Sequence, residues 1–175
     1  MKKFTLEIGA KLREFTPEEM FTLAKNSPVD GLDYIPHMHN LIFDPTRVAR
    51  LNKSFNKQVI SIHEPLYLIP YAPSLLFERM IRIADFFPQA DIYVVHLSSF
   101  LNALQNNPNK ILYLNKIAKK HGVQLAVESN PPFFILKYYP QATLDPDVYA
   151  AFCIKHNLKM TLDTSHIAAV GGNIV

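Results

Sequence analysis

A single cysteine, Cys153, stands among the 175 residues, so no internal disulfide can staple the chain. That usage fits a reducing cytosol. Cys153 lies in an apolar-periodic stretch and reads as a small core residue rather than a nucleophile. Long apolar runs are also lacking: none approaches the ~18 residues that a membrane span needs. The N-terminal MKKFTLEIGAKLREF is positive at its start but has no continuous apolar stretch of the signal-peptide kind. The expectation is a soluble, cytoplasmic protein without a membrane partner. No basic block is present either. The 18 Lys and Arg against 15 Asp and Glu give a net charge of +3 and a pI near 8.9, spread along the chain. This argues against a dedicated nucleic-acid surface and allows a modest attraction for phosphate-bearing ligands. Linkers and low-complexity tracts are missing as well, and 49% apolar with 19% charged residues excludes disorder, so residues 1–175 read as one domain.

What is present is an alternation of short apolar runs with helical patterns at intervals of about 30 residues, the signal for βα units and a parallel sheet. The strand candidates are Phe4–Ile8, Leu32–Ile35, Val59–His63, Ile92–His96, Val123–Glu128 and Leu158–Asp163. The last four are nearly continuous apolar runs, as strands buried on both faces require. Helix starts are marked by an acceptor side chain followed by proline, at Thr16-Pro17, Asp44-Pro45 and Asp145-Pro146, the first also forming a capping box with Glu19. Behind them apolar residues recur at helical spacing: Met20, Leu23 and Ala24; Val48, Leu51 and Phe55; Leu76, Met80, Ile83, Ala84 and Phe87; Ile111, Leu114, Ile117 and Ala118; Val148, Phe152 and Cys153. Gly122 stands where a helix C-terminal glycine belongs.

Four of these strand candidates end in a titratable residue: VISIH in His63, IYVVH in His96, VQLAVE in Glu128 and MTLD in Asp163. Carboxyl ends of parallel strands are where such sheets bind ligands, so two imidazoles and two carboxylates would meet at one rim. Carboxylates brought together in a partly dry pocket repel, and a divalent cation is the usual remedy. Taken singly, His63 or His96 reads as a hydrogen-bonded structural histidine. Glu128 is harder to read so, because it directly follows a buried apolar run, where an unpaired carboxylate is costly. The His37 and His39 pair could join the rim or sit in a solvated loop. His121 and His156, near helix C-termini, suit the macrodipole and need no further role. The apolar segment from Pro131 to Leu136 either walls the pocket or packs under its own loop.

At these residues the sequence resembles the xylose isomerase-like (AP endonuclease family 2) barrel superfamily, which includes sugar phosphate isomerases and epimerases and the endonuclease IV class of abasic-site nucleases. ISIHEP, YVVHLSS, LAVESN and TLDTSHIAAVGGNI follow the order of that family's third to sixth strand segments. The resemblance implies a (β/α)8 TIM-type barrel, of which this chain would supply the first six βα units, truncated after strand six. It implies that Glu128 and Asp163 bind a divalent metal and that His166 contacts substrate or another metal. It also implies that His63 and His96 line the site or bind metal themselves, with Glu128 and His166 the catalytic pair. Zinc, manganese or cobalt would suit such ligands. The implied activity is isomerisation or epimerisation of a sugar or sugar phosphate by carboxylate proton transfer. An endonuclease IV-like zinc phosphodiesterase for abasic DNA is the alternative, although Leu97-Ser98-Ser99 and ESNPPFF depart from that class's pattern. A third expectation is an inactive barrel fragment that binds a ligand or partner. The family's seventh and eighth strands carry a further His and Glu ligand beyond the point where this sequence stops. Activity is therefore expected only of a completed barrel, with association into a homo-oligomer as one route to it.

Overall fold

The computed structural model describes residues 5–8, 16–36, 44–55, 58–64, 73–96, 109–128 and 146–163. The expectations for His37, His39, the 131–136 segment and His166 lie outside the described residues. Strands and helices alternate: β1 (Thr5–Ile8), α1 (Pro17–Lys25), β2 (Gly31–Tyr34), α2 (Pro45–Ser54), β3 (Val59–His63), α3 (Pro73–Ala84), β4 (Ile92–His96), α4 (Asn109–Lys120), β5 (Gln124–Glu128), α5 (Pro146–His156) and β6 (Lys159–Thr161). The strands form one sheet in chain order, β1 to β6. β1 with β2, β2 with β3, and β5 with β6 pair in parallel, the arrangement that βα alternation predicts. Among the described residues no helix is long and apolar enough to cross a membrane.

The chain divides into two compact units, Met1–Pro65 with Leu75–Tyr93, and Leu66–Ser74 with Val94–Val175. In the first, α1 begins as the sequence foretells. The Thr16 hydroxyl accepts from the Glu19 amide, and the Glu19 carboxylate accepts from the Thr16 amide at 2.6 Å. The hydrogen bonds from Thr16 hold the Glu19 carboxyl below its ordinary value. Asp44 caps α2 by accepting from the Thr46 and Arg47 amides. The buried stripe of α1 is Pro17, Met20, Phe21 and Ala24, while Leu23 is exposed. At 100° per residue Leu23 falls well off that stripe and Phe21 falls on it, a correction to the expected face. Its ring stands 5.2 Å from that of Phe55. In α2 the buried residues are Val48, Ala49 and Asn52. Asn52 enters the core because its Oδ1 accepts the Val59 amide at 2.8 Å, so a polar side chain starts β3. Phe77, Met80 and Phe87 are fully enclosed, and Phe87 packs its ring 5.1 Å from Tyr34.

In the second unit, α4 buries Ile111, Leu114 and Ala118 and packs on β5. It ends at Gly122, whose φ of 72° lets the Gly122 and Val123 amides reach back to Lys119 and Ala118. Asn157, at φ 51°, closes α5 in the same way, with the Leu158 amide on Cys153. The buried side of α5 is Tyr149, Phe152 and Cys153. β6 departs from expectation: it is three residues long, and Met160 and Leu162 are exposed, Leu162 by 65%. It is the last strand in the sheet order, pairing with β5, so its apolar residues are not enclosed on both faces as the continuous run suggested.

Gly31 illustrates how tightly β2 and β3 approach. A Cβ there would stand 2.7 Å from the Gln58 carbonyl oxygen and 2.8 Å from the Ile60 side chain. Because the first of these is backbone, Gly31→Ala is expected to destabilise the protein by about 1–3 kcal/mol, read as a fall in urea midpoint at constant slope.

Candidate metal centre

The first unit brings three polar side chains together inside an otherwise apolar pair of strands. In β3, Ser61 and His63 are two residues apart and share a face. The pairing register of β2 with β3 runs Leu32 to Val59 and then Asp33 to Ser61, skipping Ile60. This irregularity sets Asp33 opposite Ser61. In regular pairing the next partner would be Ile60, with its side chain on the other face. The Ser61 hydroxyl donates to Asp33 Oδ1 at 2.5 Å, and His63 Nδ1 lies 2.7 Å from Asp33 Oδ2. Asp33, Ser61, His63 and Glu64 are all buried.

The second unit by itself holds His96 and Glu128, each about 1% exposed at the end of its apolar strand. His96 Nε2 is 3.7 Å from Glu128 Oε1. That is too long for a hydrogen bond. It is close to the spacing of about 3.4 Å between two ligands held at about 2.0–2.2 Å from one tetrahedral ion. Immediately before Glu128, the Tyr149 hydroxyl donates to the Val127 carbonyl, with the Thr161 carbonyl at 3.4 Å, tying α5 to β5 and β6.

Burial raises the Tyr149 phenol well above its ordinary 10.0, pushes the Cys153 thiol from 9.0 up to about 11, and lifts Tyr93 to about 12. All three are favoured protonated in the folded state. Their stability contribution is therefore complete below pH 9 and is lost as pH rises through 9 to 12, where the unfolded chain releases protons that the folded one keeps. Denaturation midpoints should fall across that window, and Tyr149→Phe should flatten the fall.

Within the second unit His96 and Glu128 thus present an imidazole nitrogen and a carboxylate oxygen side by side, while His63 ends β3 in the first unit. Asp163, half-buried and two residues beyond β6, does not join His96 and Glu128. These donors fit a divalent metal: buried imidazole and carboxylate are the ligands of borderline-soft ions such as zinc. His121 and His156 lie at the ends of α4 and α5, as their sequence positions suggested. Sequence reasoning missed Asp33, Glu64 and Tyr149. The available signal for Asp33 was a carboxylate inside the apolar run LDYI, where burial demands a partner.

No family model matches the chain, and no curated protein matches it. Solved structures do. A xylose isomerase domain containing protein from Salmonella typhimurium superposes with a TM-score of 0.64 at 14% identity, over 98% of this chain and 66% of that one. An AP endonuclease, family 2, from Brucella melitensis gives 0.64 at 14% identity, over 99% and 73%. A sugar phosphate isomerase/epimerase from Parabacteroides distasonis gives 0.58 at 10% identity, over 99% and 70%. The chain thus has the α/β fold of the xylose isomerase-like TIM barrels and spans about two thirds of the first one's length.

Proposed function

We propose that His63, His96 and Glu128 hold one divalent ion in a sugar or sugar-phosphate isomerase/epimerase site. The observation that supports this reading is the approach of His96 Nε2 to 3.7 Å from Glu128 Oε1, both buried at the ends of their strands, on a fold shared with proteins of those names. A bound ion would polarise the carbonyl and adjacent hydroxyl of a ketose. Glu128 has two carboxylate oxygens, one to hold the ion and one to accept a proton from the neighbouring carbon. Burial at the end of β5 keeps bulk water from competing for that oxygen. His166 would contact the substrate.

A second reading has specific support. Two imidazoles and one carboxylate form the ligand set of hydrolytic zinc sites, which suits an abasic-site phosphodiesterase better than a carboxylate-rich isomerase centre does. Incubation of the metal-loaded protein with ketoses and ketose phosphates in D2O tests the first reading. Deuterium at the carbon beside the carbonyl supports it. Cleavage of an abasic duplex without deuterium exchange in any ketose replaces it with the second.

A further inference from the structure

The contacts of Asp33 point to a role that its position in β2 does not advertise. Its two oxygens face two donors: the Ser61 hydroxyl on Oδ1 at 2.5 Å and His63 Nδ1 on Oδ2 at 2.7 Å. Both distances fall in the range of charge-assisted hydrogen bonds to an ionised carboxylate. A carboxylate only accepts, so Nδ1 of His63 carries a proton, and in the neutral ring Nε2 then carries the lone pair. The ring's orientation is set at the same time, because Asp33 is itself held by Ser61 and by the irregular register that places it there.

We infer that Asp33 is a positioning residue for the metal centre: through Nδ1 it fixes the tautomer and orientation of His63, so that Nε2 is offered to the ion as a neutral donor. This rests on the metal reading of His63, His96 and Glu128 given above. The physical reason is general. An imidazole whose other nitrogen donates to a carboxylate is a better base and has less freedom to lose when it binds. Ser61 acts one step further back, holding Oδ1 so that Oδ2 stays on the ring. Asp33 and Ser61 would then be needed by the centre without touching ion or substrate.

The test uses the full chain, free of metal and labelled with 15N, with His63→Ala to assign the imidazole signals. Wild-type His63 is expected to show the Nδ1–H form. In Asp33→Ala it should shift toward Nε2–H, and zinc affinity, measured by competition with a chromophoric chelator, should drop about 10- to 100-fold. Ser61→Ala should give a smaller loss with the tautomer retained. An unchanged tautomer and zinc affinity in Asp33→Ala would overturn the inference. If that variant does not fold, the wild-type spectrum alone decides, since a proton on Nε2 of His63 contradicts the assignment. A wild-type protein that binds no zinc while His63 shows the Nδ1–H form would instead overturn the metal reading on which the inference stands.

Discussion

Chelator-treated protein is expected to take up one equivalent of zinc, and His96→Ala or Glu128→Ala should weaken that binding by more than about 100-fold. The magnitude follows from what each side chain supplies. Changing a residue that merely orients a ligand costs about 10- to 100-fold, so removing one of three direct donors costs more. Because the three donors are buried, the ion binds the folded chain and not the unfolded one. At a free concentration 100 times Kd it should add about 2.7 kcal/mol of stability. For a chain of this size that amounts to a rise of roughly 5–11 °C in Tm. Calorimetric titration and thermal melts with and without zinc check both effects. Equal zinc binding by wild type and His96→Ala would remove His96 from the centre. The His96 Nε2 to Glu128 Oε1 distance of 3.7 Å makes these two the pair whose loss should matter most.

Phe87→Ala should destabilise the protein by about 3–5 kcal/mol, the cost of emptying a well-packed aromatic site. Phe87 is fully buried just beyond α3, in ring contact with Tyr34 of β2. Its backbone is fixed on both sides, its amide donating to the Ala84 carbonyl and its carbonyl accepting from Ala90. The segment therefore has little freedom to collapse into the space left behind. With about 2–4 °C per kcal/mol at this length, the Tm should fall by roughly 6–20 °C. Phe86→Ala, the adjacent residue at 44% exposure, is the control and should shift stability by no more than about 0.5 kcal/mol. A comparable loss from both variants would mean that the turn, not the ring, carries the effect.

Much of the chain was legible from local patterns. The six strands, the caps at Thr16 and Asp44 and the left-handed glycine at Gly122 depend on residues within a few positions of one another, so sequence determines them. His63, His96 and Glu128 could be picked out because each interrupts an apolar run at its carboxyl end, and in a parallel sheet that end is the ligand-binding edge. The tertiary structure decided what depends on neighbours distant in the chain. Leu23 looked apolar enough to be core, but the orientation of α1 gave that place to Phe21. Asn52 is buried because its oxygen accepts the Val59 amide, a partner that the sequence of α2 does not name. Above all, Asp33 could be tied to Ser61 and His63 only through a skipped residue in the pairing of β2 with β3. Register between strands is set by packing across about 30 residues of intervening chain, and no short window of sequence contains it.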